Sequence, residues 1–219
     1  GDALFSSSAV EEIVLPASLS HIEEGSLYWG DAEITVHPDN PYFTCENGFL
    51  IDTRTGTLLY AGASAPDGAI PAVKRIGSRA LDNQQLPADL VLPEGVEELS
   101  GAAFYVTQVR SVTLPESLTA IGHYGFQNCT SLPELHLPDG VRSLGYRVFN
   151  GCVKLAAVNY PLSWTECPSE HPGWSSANDY RGSIFVGCTQ LTRLKVPEGV
   201  ASIPDYALRD SGGLREVIL

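Results

Sequence analysis

Apolar and polar positions alternate in short bursts along this chain. Val112-Thr113-Leu114, Leu135-His136-Leu137, Val158-Asn159-Tyr160 and Leu194-Lys195-Val196 each set one polar or charged side chain between two apolar ones. That two-residue period is the mark of a strand with one buried face. The bursts recur in register with an apolar residue followed by proline, at Ile70-Pro71, Leu92-Pro93, Leu114-Pro115, Leu137-Pro138 and Tyr160-Pro161, a spacing of 22 or 23 residues, and again at Val196-Pro197 after one longer interval. A fixed period of this length predicts a solenoid, in which each coil buries its apolar face only by stacking on its neighbours. Each repeat is expected to give one strand to a parallel sheet. Proline after the apolar pair lacks a backbone donor and ends the strand, and glycine two to eight residues later permits the bends of the coil. Counting Leu15, a strand near Val36 and Leu219 as well, the pattern predicts about nine short coils, a rod of roughly 40 Å at ~4.8 Å per strand.

Between the strands the repeat keeps further columns. The fullest copy runs Leu114-Pro115, Leu118, Ile121-Gly122, Gly125-Phe126, Cys129, Leu132, Leu135, Leu137; the next has Val141, Leu144-Gly145, Val148-Phe149, Cys152 and Leu155 in the same places. Phe104, Phe126, Phe149 and Phe185 are expected to stack inside, one ring per coil. Cys129, Cys152 and Cys188 share one position, so they read as small buried thiols. With Cys45 and Cys167 the cysteines number five, which cannot all pair within the chain, and no C-x-x-C pattern is present.

The combination L-x-x-I-x-L-P, then I-G, then A-F-x-x-C-x-x-L resembles the BspA-like, or Treponema-type, leucine-rich repeat of bacterial surface proteins. The resemblance covers nearly the whole chain and implies a β-rich solenoid of the α/β repeat class, with residues 1–219 as a single domain. Departures are local: Ala80-Leu81 and Ala207-Leu208 replace the Phe, the unit at Phe104 lacks its Cys, and Ile203-Pro204 replaces Ile-Gly. Members of the family are associated with adhesion to host proteins or other cells. That implies a non-enzymatic recognition module, extracellular or on a cell surface, with a surface protein of a host or neighbouring cell, or a glycan, as partner.

Composition narrows the partners. Twenty-six acidic against 13 basic residues give a formal charge of −13, which repels polyanions and argues against nucleic acid. No run approaches the ~20 apolar residues of a membrane helix. The chain has no methionine and begins at Gly1-Asp2, which suggests that an upstream segment was removed, whether a signal peptide, a lipoprotein leader or an engineered tag. Ala3-Leu4 lies halfway round a coil and Val217-Ile218-Leu219 within a strand, so the chain reads as a piece of a longer array or as one whose uncapped ends associate end to end.

Two stretches break the repeat. Residues 37–62 hold Tyr42-Phe43, then Glu46-Asn47-Gly48-Phe49-Leu50-Ile51, then Leu58-Leu59-Tyr60, a β-hairpin pattern that reads as decoration on the solenoid. Asp39, Glu46 and Asp52 within it do not match a calcium loop. Residues 163–183 carry Trp164, Cys167, Glu170, His171, Trp174 and Tyr180. Aromatic side chains on a loop supply contact area at low entropy cost, so Trp164, Trp174 and Tyr180 are candidate ligand contacts, against the plainer reading of rings packed onto the flank. Cys167 and His171 loosely resemble part of a cysteine triad, but such a site is a matter of geometry rather than closeness in sequence; no catalytic, cofactor or metal residues are expected. The last candidates, His136 and Asn159, lie on the outward strand column of Val14, Val91, Thr113, His136, Asn159, Lys195 and Ile218. A recognition face shows such varied outward residues, and so does a plain spacer.

Overall fold

The computed structural model describes residues 10–27, 32–65, 69–82, 86–167 and 183–219. They form a stack of short strands and tight turns, about eight turns deep, with no α-helix among the described residues. The expected strands are present in one column: β1 (Glu12–Leu15), β2 (Glu33–Val36), β7 (Asp89–Val91), β9 (Ser111–Thr113), β11 (Glu134–Leu135), β13 (Ala157–Val158), β14 (Arg193–Lys195) and β15 (Glu216–Ile218). They pair in parallel, β1 with β2, β7 with β9, β11 with β13 and β14 with β15. The single parallel sheet expected from the repeat is thus divided into two-stranded pieces.

The continuous sheet lies on another side of the coil. It runs through the aliphatic residue six or seven places after the apolar residue of the apolar–Pro pair, in two-residue strands β6 (Arg75–Ile76), β8 (Glu98–Leu99), β10 (Ala120–Ile121) and β12 (Ser143–Leu144), and it extends to β5 (Thr57–Ala61), β4 (Phe49–Asp52) and β3 (Phe43–Glu46). Between the two columns, the residue at the Pro carbonyl closes a turn: Val96, Leu118 and Val141 donate N–H to Pro93, Pro115 and Pro138. A third side is laddered without strand geometry. Phe104 N–H bonds Gly125 C=O at 2.8 Å and Phe126 N–H bonds Val148 C=O at 2.9 Å.

The bends on that third side are not made by the Ile-Gly glycines. Positive φ falls on Arg79, Ala102, Tyr124 and Arg147, two residues before each Leu or Phe of the ring column. These are residues that pay for left-handed backbone, and the coil-to-coil bonds hold them there. Gly122 instead allows close approach: a Cβ on it would stand 2.8 Å from the backbone of Ser100 and Gly101 in the preceding coil.

The interior follows the predicted columns. Phe104, Phe126, Phe149 and Phe185 stack at centroid spacings of 4.8, 5.8 and 5.6 Å. Cys129, Cys152 and Cys188 are free and buried, and each points its Sγ at the carbonyl of a Phe one coil back: Phe104, Phe126 and Phe149, at 3.1, 2.9 and 3.0 Å. In the coil of Phe104, Thr107 fills the place of the cysteine, and its Oγ1 donates to the Phe104 C=O of its own coil at 3.3 Å instead of reaching back one coil.

The hairpin is more than decoration. Asn47 and Gly48 both have positive φ (51° and 79°), the requirement of the tight turn that Asn-Gly favours. All of β4 and β5 is buried. Leu50 enters a core shared with Leu15, Ile34 and Phe43, while Phe49 and Ile51 enter the core that runs through the remaining coils. The insertion is therefore a wall between two cores.

Candidate functional site

Outward alternation in β7, β9 and β14 places Val91, Thr113 and Lys195 in solvent. Val91 pairs in register with Thr113, Lys195 with Ile218 and Val14 with Thr35. His136 is exposed and Ile218 half-buried. Two bare valines stand out, Val14 at 62% and Val91 at 67% exposure. Asn159 differs from the rest. It is half-buried, its Oδ1 accepts from Leu137 N–H at 2.7 Å and its Nδ2 donates to Leu137 C=O at 2.8 Å. Elsewhere that link is made by backbone, as from Leu92 N–H to Thr113 C=O. The Asn159 amide thus stands in for a peptide group.

Trp164 is likewise a structural residue. It lies four places after Tyr160, where other coils carry Val96, Leu118 and Val141, and it makes the same turn bond, N–H to Pro161 C=O. Its ring is 2% exposed, packs on Tyr160 at 4.8 Å and donates Nε1–H to Glu166 C=O at 2.9 Å. Of the two readings of this ring, packing and ligand contact, its burial fits packing, because this position points into the core. Cys167 follows the same register: seven places after Tyr160, it takes the position of Ile121 and Leu144, next to the bridge between Ser143 and Glu166. It is half-buried against the core. The coil therefore continues through Cys167. Glu170, His171, Trp174 and Tyr180 lie outside the described residues.

A third place escaped the sequence reading. An open cleft of about 570 Å³ lies between β2 and the hairpin, bordered by Glu33–Val36 on one side and Phe43–Cys45 with Gly48 on the other. Cys45 lines it, its thiol pushed up by burial and further by the Glu33 carboxylate, so it is a protonated wall group. Glu33 itself accepts from Ser64 Oγ at 2.7 Å and from its N–H at 3.2 Å. Asp52 of the hairpin is committed to Arg54 at 2.7 Å, which holds its carboxyl below the usual range. No group of three or more metal-ligating side chains occurs among the described residues, and no helix among them is long and apolar enough to cross a membrane.

Comparison with known proteins agrees with this architecture. A family model described as BspA type leucine rich repeat region matches residues 60–171 and 175–219, in six copies. Among solved structures, the pneumococcal vaccine antigen PcpA superposes with a TM-score of 0.71 at 21% identity, covering 95% of this chain and 56% of its own. A T. pallidum leucine rich repeat protein is 29% identical over 69% of this chain and 67% of its own, with a TM-score of 0.50. A leucine rich cell surface protein of Faecalibacterium prausnitzii gives 0.56 at 16% identity, covering 98% of this chain and 49% of its own. The chain thus spans about half to two-thirds the length of these proteins. No curated protein matches it significantly.

Proposed function

Because the chain belongs to the BspA type leucine-rich repeat family, we propose that it is a non-enzymatic recognition module, secreted or on a bacterial cell surface, that adheres to a partner protein through its outward strand column. The supporting observation is the contrast between faces. Inward columns stay apolar from coil to coil, whereas the outward column passes through Val91, Thr113, His136 and Lys195, with Val14 and Val91 left bare in solvent. Exposed apolar side chains on a rigid ladder are what a protein interface uses. Trp174 and Tyr180 are further candidate contacts in this reading. Surface location draws support from the F. prausnitzii relative.

The competing reading is a spacer, and the burial of Trp164 favours it. Biolayer interferometry against immobilised matrix and mucosal proteins separates the two. Recognition predicts saturable binding at micromolar concentration, weakened at least ~10-fold by the double change Val91→Asp and His136→Asp. Binding that disappears when the partner is deglycosylated would move the reading to a glycan. Silence across the panel at ~100 μM leaves the spacer.

A further inference from the structure

We infer that the flank between the cysteine column and the outward strands is a separate binding site, which takes a linear anionic polysaccharide laid along the stacking axis. It lies beside the outward column and holds whether or not that column binds a protein.

Each coil crosses this flank on its way from the ring column back to the strand. The crossings are residues 107–110, 129–133, 152–156, 188–192 and 211–215, and none of the 26 acidic residues falls in any of them. Their last residues form one column. Arg110, Pro133, Ala156, Thr192 and Arg215 each stand one place before a strand, β9, β11, β13, β14 and β15 in turn. Backbone bonds hold them level, as from Ala156 N–H to Pro133 C=O at 2.8 Å and from Arg215 N–H to Thr192 C=O at 2.9 Å. A second column runs two places earlier, through Gln108, Ser131 and Lys154, and Ser131 Oγ–H donates to Gln108 Oε1 across one coil step at 3.1 Å.

Three cations stand on the first, third and fifth crossings. Arg110, Lys154 and Arg215 are all exposed, and none has an ion-pair partner among the described residues, whereas Arg54, Arg75, Arg79, Arg193 and Arg209 are paired. Two coils at ~4.8 Å each separate one cation from the next, about 10 Å along the axis. Pro133 and Ala156, small and exposed, leave a flat lane between them. On its borders Asp89 accepts from Ser111 at 2.8 Å, Glu216 pairs with Arg193 at 3.1 Å and Asp210 with Arg209 at 3.6 Å. Glu134 stands exposed beside Pro133.

Charge and its spacing select the occupant. The formal −13 of the chain repels polyanions at a distance, but that field is screened beyond ~8 Å at physiological salt. Within that range the flank itself carries cations and no carboxylate. Duplex DNA brings a charge every ~1.7 Å of its axis, about five for each cation here, and the surplus would meet the acidic remainder of the molecule. A polysaccharide with one anionic group on alternate sugars spaces its charges at about the two-coil step. Its ring C–H faces would rest on Pro133 and Ala156 while its hydroxyls meet Gln108 and Thr192.

The test uses the whole protein with a hyaluronan oligosaccharide, which carries one carboxylate on every second sugar, and compares an uncharged chitin oligosaccharide and a short DNA duplex. Amide resonances of the ¹⁵N-labelled protein report the site. The expected result is saturable binding of hyaluronan at or below ~1 mM in low salt, with shifts at Arg110, Ala156, Thr192 and Arg215 and none at Val14 or Val91. Arg110→Glu with Lys154→Glu should weaken it at least ~10-fold, while Lys74→Glu with Arg142→Glu, the same change in net charge beside the continuous sheet, should cost less than ~3-fold. Glu134→Gln should tighten it. Equal losses in the two double variants would overturn a placed site in favour of net charge. No binding at ~1 mM, or equal binding of the chitin oligosaccharide, would overturn the anionic ligand, and equal binding of DNA would overturn the match of spacing. Shifts confined to Val14 and Val91 would give the sugar to the outward column and overturn this site alone.

Discussion

Replacing Cys152 by alanine and by serine separates two accounts of the buried thiol column. If the column is packing alone, serine is the worse substitute, because it puts a hydroxyl where a small apolar group belongs. If the thiol acts as a donor, serine is the better one. The Phe126 carbonyl receives Cys129 N–H at 3.2 Å and the Cys152 Sγ at 2.9 Å, and a carbonyl has two lone pairs to satisfy. Alanine removes one of these bonds, about 1 kcal/mol, and about 1 kcal/mol of buried side chain, so Cys152→Ala should cost about 2 kcal/mol. Serine keeps a hydroxyl donor beside the Phe126 carbonyl, and Cys152→Ser should cost less than about 1 kcal/mol. Urea melts at pH 7 with reductant, followed by circular dichroism, give both values, provided the slopes match wild type. A serine variant as unstable as alanine, or more so, refutes the donor account.

Burial pushes the Cys188 thiol up to about 12, and the hydrogen bond with Cys129, then burial, raises Cys152. All three column thiols are buried, so a thiol reagent should label Cys45 and Cys167 at most in the native protein, with Cys129, Cys152 and Cys188 reacting only on unfolding. Trp164→Ala should destabilise by about 3–5 kcal/mol, read by the same melts; a change below about 1 kcal/mol would mean the ring is not core. Asn159→Ala should cost about 2 kcal/mol by leaving Leu137 without partners. Asp82, buried beside Arg79, is raised to about 6 by desolvation. A carboxyl raised on folding stabilises below its unfolded value of 3.8 and loses that contribution as pH climbs through about 6. Asp82→Asn should therefore match wild type at low pH and exceed it by about 1 kcal/mol above neutrality, after discounting for screening; an unchanged difference across pH denies the shift.

Much of the scaffold is legible because the repeat writes each column many times. The Leu-x-Leu strands, the Phe stack and the Asn47-Gly48 hairpin all follow from period and turn chemistry. Less visible is the second row of strands: β6, β8, β10 and β12 are two residues long, too short to show alternation. The bends were assigned to glycine, yet they fall on Arg79, Ala102, Tyr124 and Arg147, residue types that carry no signal for left-handed backbone. Trp164 and Cys167 were read as loop residues because their types suggested chemistry. Counting four and seven places from Tyr160 would have set them in the columns of Leu118 and Ile121. The cleft had no signature at all, since it arises from strands that fail to pair.

The bonds that join one turn to the next lie on three sides of the coil and all run along the stacking axis. Tension between the two ends would therefore load these rungs in series, and the weakest turn would peel first while its neighbours stay folded. Each turn gives back 22 or 23 residues, about 75 Å of chain against ~4.8 Å of stack. Under shear, such a molecule behaves as an extensible tether that yields stepwise and absorbs work at every step, whatever it holds at its surface.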